Sequence, residues 1–145
     1  MKKILCLVAV LTILGYACTK EETIDNATTA AAFLKSREWK PTVIDRNPAT
    51  SPAGKILYTP VAECEKDDRL KFSKDSLLVT KGAIICENAE TGYQVTYSMD
   101  FNKRKITING TEYMLGEVTD KQLKFFIRIP SQSGYDYQVY LYEHE

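Results

Sequence analysis

The chain has little of the material from which metal sites and most catalytic sites are built. Its 145 residues include one histidine, the penultimate residue His144, and four cysteines among which no Cys-x-x-Cys pair occurs. Structural zinc is held by clustered Cys and His side chains, so the sequence argues against a metal centre. His144 has no nucleophile beside it, and general acid–base work by Asp or Glu has no further support. We therefore expect no cofactor and no enzymatic activity.

The chain also lacks an excess of positive charge. Lys and Arg total 19, as do Asp and Glu, and no long run of like charge occurs. Removal of Lys2 and Lys3 with a cleaved N-terminal segment would leave 17 basic against 19 acidic side chains, a formal charge of −2. Nucleic acid is held by clustered Lys and Arg that neutralise phosphates, so it is not an expected partner.

No hydrophobic run is long enough to cross a bilayer as a helix. Residues 4–17 are almost wholly apolar and uncharged, but they fall short of the roughly 20 residues that a spanning helix needs. The run follows Lys2-Lys3 and ends in Gly15-Tyr16-Ala17. A basic start, a short apolar core and small residues before the cut are typical of a secretory signal. We predict a signal peptide over residues 1–17.

Cys18 would be the first residue of the mature chain. Leu14-Gly15-Tyr16-Ala17-Cys18 resembles a lipobox, whose cysteine is acylated, although Gly15 stands where the usual leucine is expected. Several acyl chains would hold the protein firmly, because a single chain gives only marginal membrane binding. Thr19-Lys20-Glu21-Glu22 resembles the surface-export signal of outer-membrane lipoproteins in one phylum of Gram-negative gut commensals. We expect an outer-membrane lipoprotein anchored through Cys18, with a tether over residues 18–33 and surface exposure favoured. A soluble exported protein, cut at the same bond, stays open.

Cys64 and Cys86 remain once Cys6 leaves with the signal and Cys18 carries lipid. An even pair of cysteines in an exported protein is predicted to form a disulfide.

From residue 38 onward, polar and apolar residues alternate with the period of two that marks half-buried strands. Eight strands are predicted, over residues 38–45, 68–73, 76–81, 92–101, 105–108, 111–118, 122–129 and 135–142. A further short strand over 56–58 is a candidate, and a short helix is expected to end near Ser36 or Arg37. Asn109-Gly110 predicts a tight hairpin, because both residues tolerate a positive φ.

No helix-length segment lies between the strands, which excludes a parallel sheet built from strand–helix–strand units. The sequence therefore predicts an all-β fold over residues 34–145. An eight-stranded antiparallel up-and-down barrel is the favoured architecture, and a two-sheet sandwich is the alternative.

The same alternation predicts which large side chains point into the barrel. Tyr140 and Tyr142 are expected to face outward. An eight-stranded barrel can be filled by its side chains or can hold one small ligand, and both interpretations stay open. The candidate ligand-lining residues are Trp39, Phe72, Tyr93, Tyr97, Met99, Phe101, Phe125, Tyr135 and Tyr137.

Three segments carry a resemblance to a known family. They are Cys64-Glu65-Lys66-Asp67-Asp68-Arg69-Leu70-Lys71-Phe72 with the later Gly82 and Cys86, Arg37-Glu38-Trp39-Lys40, and Thr119-Asp120-Lys121-Gln122-Leu123. Together they resemble the lipocalin-like domain of many short lipoproteins of the same phylum, over residues 34–143. This chain departs from the family at Glu38 and at Lys74-Asp75-Ser76, where glycine is usual. The resemblance implies a small eight-stranded barrel and little about function.

Two functions from different classes follow as expectations. The barrel could bind a small apolar ligand. Alternatively it could bind a protein partner, as periplasmic lysozyme inhibitors do by inserting a loop, and Ser131-Gln132-Ser133-Gly134-Tyr135 is the candidate loop. Asp67-Asp68 is expected to accept local backbone N–H groups in a turn rather than to hold Ca²⁺ or form a catalytic carboxylate pair.

Overall fold

The computed structural model describes residues 27–87 and 90–144, which form one short helix and nine strands. None of the helices in these two ranges is both long and apolar enough to cross a membrane. The elements are α1 (Ala27–Ser36), β1 (Glu38–Thr42), β2 (Ile56–Tyr58), β3 (Arg69–Phe72), β4 (Ser76–Thr80), β5 (Gly92–Asp100), β6 (Lys105–Ile108), β7 (Thr111–Val118), β8 (Gln122–Ser131) and β9 (Gly134–Glu143). The predicted helix before residue 37 is confirmed.

Eight of the strands close into one antiparallel barrel. Strands β3 to β9 pair in chain order, and β1 pairs antiparallel with both β3 and β9, which closes the sheet on itself. Closure leaves no open edge between first and last strands. The predicted all-β barrel is therefore confirmed, and the two-sheet alternative is not what forms. The short β2 adds a ninth strand, parallel to β9.

The turn between β6 and β7 forms as predicted from the sequence. Asn109 and Gly110 have φ values of +48° and +81°, and Ile108 pairs with Thr111 on either side of them. Two successive positive φ angles match the twist of the flanking strands, which is why this dipeptide favours a two-residue hairpin.

Helix α1 covers one end of the barrel. Leu34 is fully buried against the core, and the indole Nε1–H of the fully buried Trp39 donates to the Leu34 carbonyl oxygen at 3.1 Å. Phe72 and Tyr97 pack edge to face behind them, with ring centroids 4.9 Å apart. This end of the barrel is filled by side chains.

The chain leaves the barrel wall after Thr42, so β1 ends three residues before the predicted Asp45. Residues 43–55 then lie against side chains that point out of the barrel from β7 and β8. The Arg46 N–H donates to Gln122 Oε1 at 3.1 Å, and the Thr50 hydroxyl donates to Glu117 Oε2 at 2.8 Å. This covering segment, residues 43–55, buries part of the outer wall.

A second apolar cluster forms on that outer wall. Its buried members are Phe126, Tyr137, Val139 and Leu141, with Ile56 of β2 packed against them. Strands β8 and β9 consequently bury side chains on both faces.

Candidate ligand cavity

A cavity of about 430 Å³ opens at the end of the barrel opposite α1. Its wall includes the last residues of β1, β4 and β6 and the first residues of β5 and β7, whereas α1 precedes the start of β1 and contributes no residue to the lining. The apolar part of the lining is formed by Leu70, Leu77, Val79, Val95, Ile108 and Phe125. Four tyrosines, Tyr93, Tyr113, Tyr140 and Tyr142, complete the aromatic part.

One wall of the cavity is a continuous aromatic cluster. Phe125 pairs across the sheet with Tyr140, and the period of two puts Tyr142 on the same face. The Phe125 ring stacks on Tyr140 and Tyr142 at centroid distances of 5.2 and 5.6 Å, with interplanar angles of 19° and 21°. Tyr113 meets Phe125 and Tyr140 edge to face at 5.2 and 5.5 Å. Packing of this kind holds the rings in fixed orientations.

The phenol groups of Tyr140 and Tyr142 stay neutral at physiological pH. Burial raises the pKa of Tyr142 well above its usual range, and the neighbouring Tyr93, Tyr140, Tyr113 and Glu65 raise it further. Burial also raises the pKa of Tyr140, Tyr113 adds to that effect, and a hydrogen bond with Thr59 opposes it. The cavity therefore offers hydroxyl donors and acceptors together with aromatic faces.

An ion pair lies in the cavity wall near the mouth. Lys81 Nζ is 2.7 Å from Asp68 Oδ2, and the two side chains are only 12% and 5% exposed. The hydrogen bond that Lys81 donates to Asp68 raises the pKa of Lys81, while burial opposes the rise. Asp68 Oδ1 also accepts the Gly82 N–H at 3.2 Å. The charge of Lys81 is thus matched by a carboxylate of the protein itself.

Asp67 binds the loop that follows β4, as Asp68 does. Its Oδ2 accepts the Ala83 N–H at 2.7 Å, and a Cβ on Gly82 would lie 2.0 Å from the Asp67 Cγ. Both aspartates thus accept backbone N–H groups, as expected, but the donors lie in the loop after β4 rather than in the local turn. A side chain at position 82 would therefore have to displace the Asp67 carboxyl from its place against the loop.

Cys64 and Cys86 form the predicted disulfide, with their Cα atoms 5.1 Å apart. The bridge joins the segment that carries Glu65 and Asp68 to the loop that follows Lys81. Both segments contribute to the cavity lining, so the disulfide ties together two sides of the mouth.

The structure separates the predicted ligand-lining residues into three groups. Tyr93 and Phe125 line the cavity, and Tyr93 is 46% exposed at its rim. The others at inward positions belong to the core and its margin; they are Trp39, Phe72, Tyr97, Met99 and Phe101. One end of the barrel is therefore filled by side chains, and the other end contains the cavity.

Tyr135 and Tyr137 were assigned to the wrong face of β9. Tyr137 packs in the outer cluster, and Tyr135 is 51% exposed, with the Arg128 guanidinium stacked over its ring at 4.6 Å. Tyr140 and Tyr142, expected to face outward, line the cavity instead. The error has a simple cause: β9 carries tyrosines in both phases of its alternation, and side chains on both of its faces pack in apolar clusters.

The cavity residues missed by sequence reasoning include Glu65, Asp68, Lys81, Tyr113, Tyr140 and Tyr142. Phe125 was correctly predicted to point into the barrel. Once the register of β8 and β9 is known, Tyr140 is identified as its cross-strand partner on the same face. That register is the missing signal, because alternation alone does not align two strands.

The loop predicted over residues 131–135 is a tight hairpin. Ser131 pairs with Gly134, whose φ is +119°, so only Gln132 and Ser133 form the turn. Strands β8 and β9 are correspondingly longer than predicted.

Residues 27–87 and 90–144 contain no cluster of three or more His, Cys, Asp or Glu side chains that could hold a metal ion. The predicted signal peptide, the lipidation site Cys18 and most of the tether lie outside the described residues. No family model, curated protein or solved structure matches this chain.

Proposed function

We propose that this protein is a membrane-anchored, non-enzymatic barrel that binds one small, largely apolar ligand in its cavity. The observation that carries the proposal is the cavity of about 430 Å³ between a filled end and an open mouth. Ligand pockets typically have volumes of about 300–1,000 Å³ and are mostly apolar with a few convergent polar groups. The aromatic wall and the tyrosine hydroxyls supply both elements.

The chemistry of the lining supports binding rather than catalysis. No Ser, Cys or His belongs to the described cavity lining, and two of its three ionised groups, Lys81 and Asp68, are paired with each other. A nucleophile held against a general base is the usual basis of covalent catalysis. The hairpin at Gln132-Ser133 offers only a two-residue turn, which gives the protein-inhibitor alternative less support.

Filling the cavity tests the proposal. Val95 points into the cavity from β5, whereas its neighbour Gln94 is exposed on the opposite face. Val95→Trp should abolish binding, and Gln94→Trp, which adds the same bulk outside, should leave binding intact. Ile108→Phe provides a second filling variant should Val95→Trp fold poorly.

Binding would be followed on the full chain in phosphatidylglycerol nanodiscs, with tyrosine rings labelled with ¹³C. The compact neutral compound 1-adamantanol should shift the cavity tyrosines saturably in the unaltered protein and in Gln94→Trp. Absence of any saturable shift with 1-adamantanol and with a lipid extract of the producing cells would overturn the proposal. Equal binding by the filled and unfilled proteins would overturn it too.

The membrane anchor is part of the same proposal and rests on the residues around Cys18. Intact mass of the protein from its native membrane tests it. The expected mass is that of residues 18–145 with a diacylglyceryl group, less two hydrogens for the disulfide. The mass of the unmodified 18–145 polypeptide would contradict the anchor and leave an exported soluble barrel.

A further inference from the structure

The charges around the cavity do not balance. Three lining residues are ionised, namely Glu65, Asp68 and Lys81. Lys81 and Asp68 neutralise each other at 2.7 Å, so the carboxylate of Glu65 leaves the lining with a charge of −1. Glu65 Oε2 accepts the Ala62 N–H at 3.2 Å, which orients this carboxylate without supplying a countercharge.

The carboxylate of Glu65 belongs to the same cavity lining as the aromatic wall. Its negative charge acts on the Tyr142 phenol, as do Tyr93, Tyr140 and Tyr113, and burial together with these neighbours raises the pKa of Tyr142. The surroundings thus oppose the formation of a negative charge at this place. A positive charge at the same place would be attracted by the carboxylate and by the hydroxyl oxygens.

Aromatic rings add to that attraction. The face of a phenol or benzene ring is electron-rich, and a cation within about 6 Å of the ring centroid is stabilised, most strongly where water is excluded. Five rings line this cavity, from Tyr93, Tyr113, Phe125, Tyr140 and Tyr142. Burial penalises a strongly hydrated ammonium group, but an alkylated ammonium has fewer or no N–H groups to desolvate. Its methyl groups also suit the apolar walls.

We infer that the cavity selects organic cations, specifically a methylated ammonium group carried on a small apolar body. This inference rests on the proposed ligand binding and names the ligand class for it. Glu65 supplies the countercharge, and the tyrosines with Phe125 form the cage around the cationic group. Lys81 does not oppose it, because Asp68 compensates its charge.

Three probes of nearly the same shape but different charge test the inference. They are choline, its neutral isostere 3,3-dimethylbutan-1-ol and the anion 3,3-dimethylbutanoate. Each would be titrated into the full chain in phosphatidylglycerol nanodiscs, which contain no choline headgroup, with ¹³C-labelled tyrosine rings as reporters. We expect choline to bind at least about five-fold more tightly than the neutral isostere, in the range of a partly desolvated cation–π site.

Two matched pairs of variants assign the selectivity to residues. Glu65→Gln keeps the acceptor for the Ala62 N–H and removes the charge, while Glu63→Gln removes a charge from the same turn at a residue outside the cavity lining. Tyr93→Leu removes a ring at the rim, and Tyr93→Phe retains the ring. The preference for choline should fall in Glu65→Gln and Tyr93→Leu and persist in the two controls.

The outcomes distinguish failure of the cation inference from failure of the proposed function. Equal binding of choline and the neutral alcohol, or tightest binding of the anion, would overturn the cation inference and leave the cavity as a binding site. The same holds if 1-adamantanol binds and choline does not. If none of the four compounds binds, and the lipid extract gives no saturable shift either, both the inference and the proposed function fail. A choline preference unaffected by Glu65→Gln and Tyr93→Leu would overturn the assignment to this cavity.

Discussion

Lys124 and Asp45 form an ion pair of 2.7 Å beneath the segment that covers the outer wall of the barrel, with the two side chains 0% and 6% exposed. Lys124 Nζ also donates to the Asn47 carbonyl at 2.6 Å and to the hydroxyls of Thr50 and Ser51 at 3.0 Å. A charged residue of β8 thereby holds residues 43–55 in place. The covering segment is fixed by a buried polar network.

Replacement of Lys124 by Met should be strongly destabilising. Removing one partner of a buried ion pair leaves the other charge uncompensated, at a cost of about 3–5 kcal/mol in the free energy of unfolding. Urea denaturation measures this cost. Lys105→Met is the control, because its pair with Glu112 is 42% and 58% exposed and should contribute about 1 kcal/mol or less. Equal costs for the two variants would contradict a special role for Lys124.

The stability contributed by Asp45 should depend on pH. Burial tends to raise the pKa of Asp45, but the hydrogen bonds from Lys124, Tyr58, Ser51 and the Asn47 N–H outweigh it and lower the pKa below 3.8. A carboxyl whose folded-state pKa is lowered stabilises the protein fully above the unfolded-state value and loses that contribution as the pH falls through the folded-state value.

The comparison with Asp45→Asn isolates this effect. The difference in unfolding free energy between the two proteins should be constant near neutral pH and should shrink below about pH 3.8. Chemical denaturation across this range measures it. A difference that stays unchanged into the acid range would show that the charge of Asp45 is not what stabilises the covering segment.

Loss of the disulfide should lower stability and weaken binding. The bridge closes a loop with a sequence separation of 22 residues. The chain-entropy model assigns about 3 kcal/mol to a loop of this length. Cys64→Ser combined with Cys86→Ser should therefore lower the unfolding free energy by that amount and reduce the affinity for 1-adamantanol. Reductant should reproduce both effects in the unaltered protein and change nothing in the double variant.

Gly82→Ala should destabilise the loop after β4 through a clash with Asp67. The added Cβ would lie 2.0 Å from the Asp67 Cγ, and overpacking of this kind typically costs about 1–3 kcal/mol. Asp67→Ala combined with Gly82→Ala removes the carboxyl with which the new Cβ would clash. In a double-mutant cycle, the double variant should be destabilised by less than the sum of the single variants. Simple additivity would argue against the contact.

Some of this structure could be predicted because it depends on near neighbours in sequence. The strict alternation of β5 correctly placed Val95, Tyr97 and Met99 on the inner face. Asn109-Gly110 fixed a hairpin through the backbone preferences of the two residues themselves. For Cys64 and Cys86, the count of cysteines, together with the expectation of export, was enough to predict the bond.

Strand β9 shows where alternation stops being informative. Tyr135 and Tyr137 occupy one phase, and Tyr140 and Tyr142 occupy the other. The two-residue period of a strand predicts only that the two sets point to opposite faces of the sheet. Tyrosine occurs both on buried faces and at protein surfaces, so the residue type does not reveal which set faces the interior. Pairing with β8 and coverage by residues 43–55 decided it.

The amino-acid sequence by itself determined the strand pattern, the antiparallel connectivity, the β6–β7 turn and the disulfide, since each follows from local periodicity, backbone preference or residue count. Only the tertiary structure decided that Lys124 would be buried against Asp45. It also decided that one end of the barrel would be filled and the other hollow, and that Glu65 would line the same cavity as the tyrosines. These features depend on residues far apart in the chain, such as Lys124 and Asn47, which are separated by 77 positions. Their contacts arise from strand register and barrel closure, and neither is encoded in any single segment.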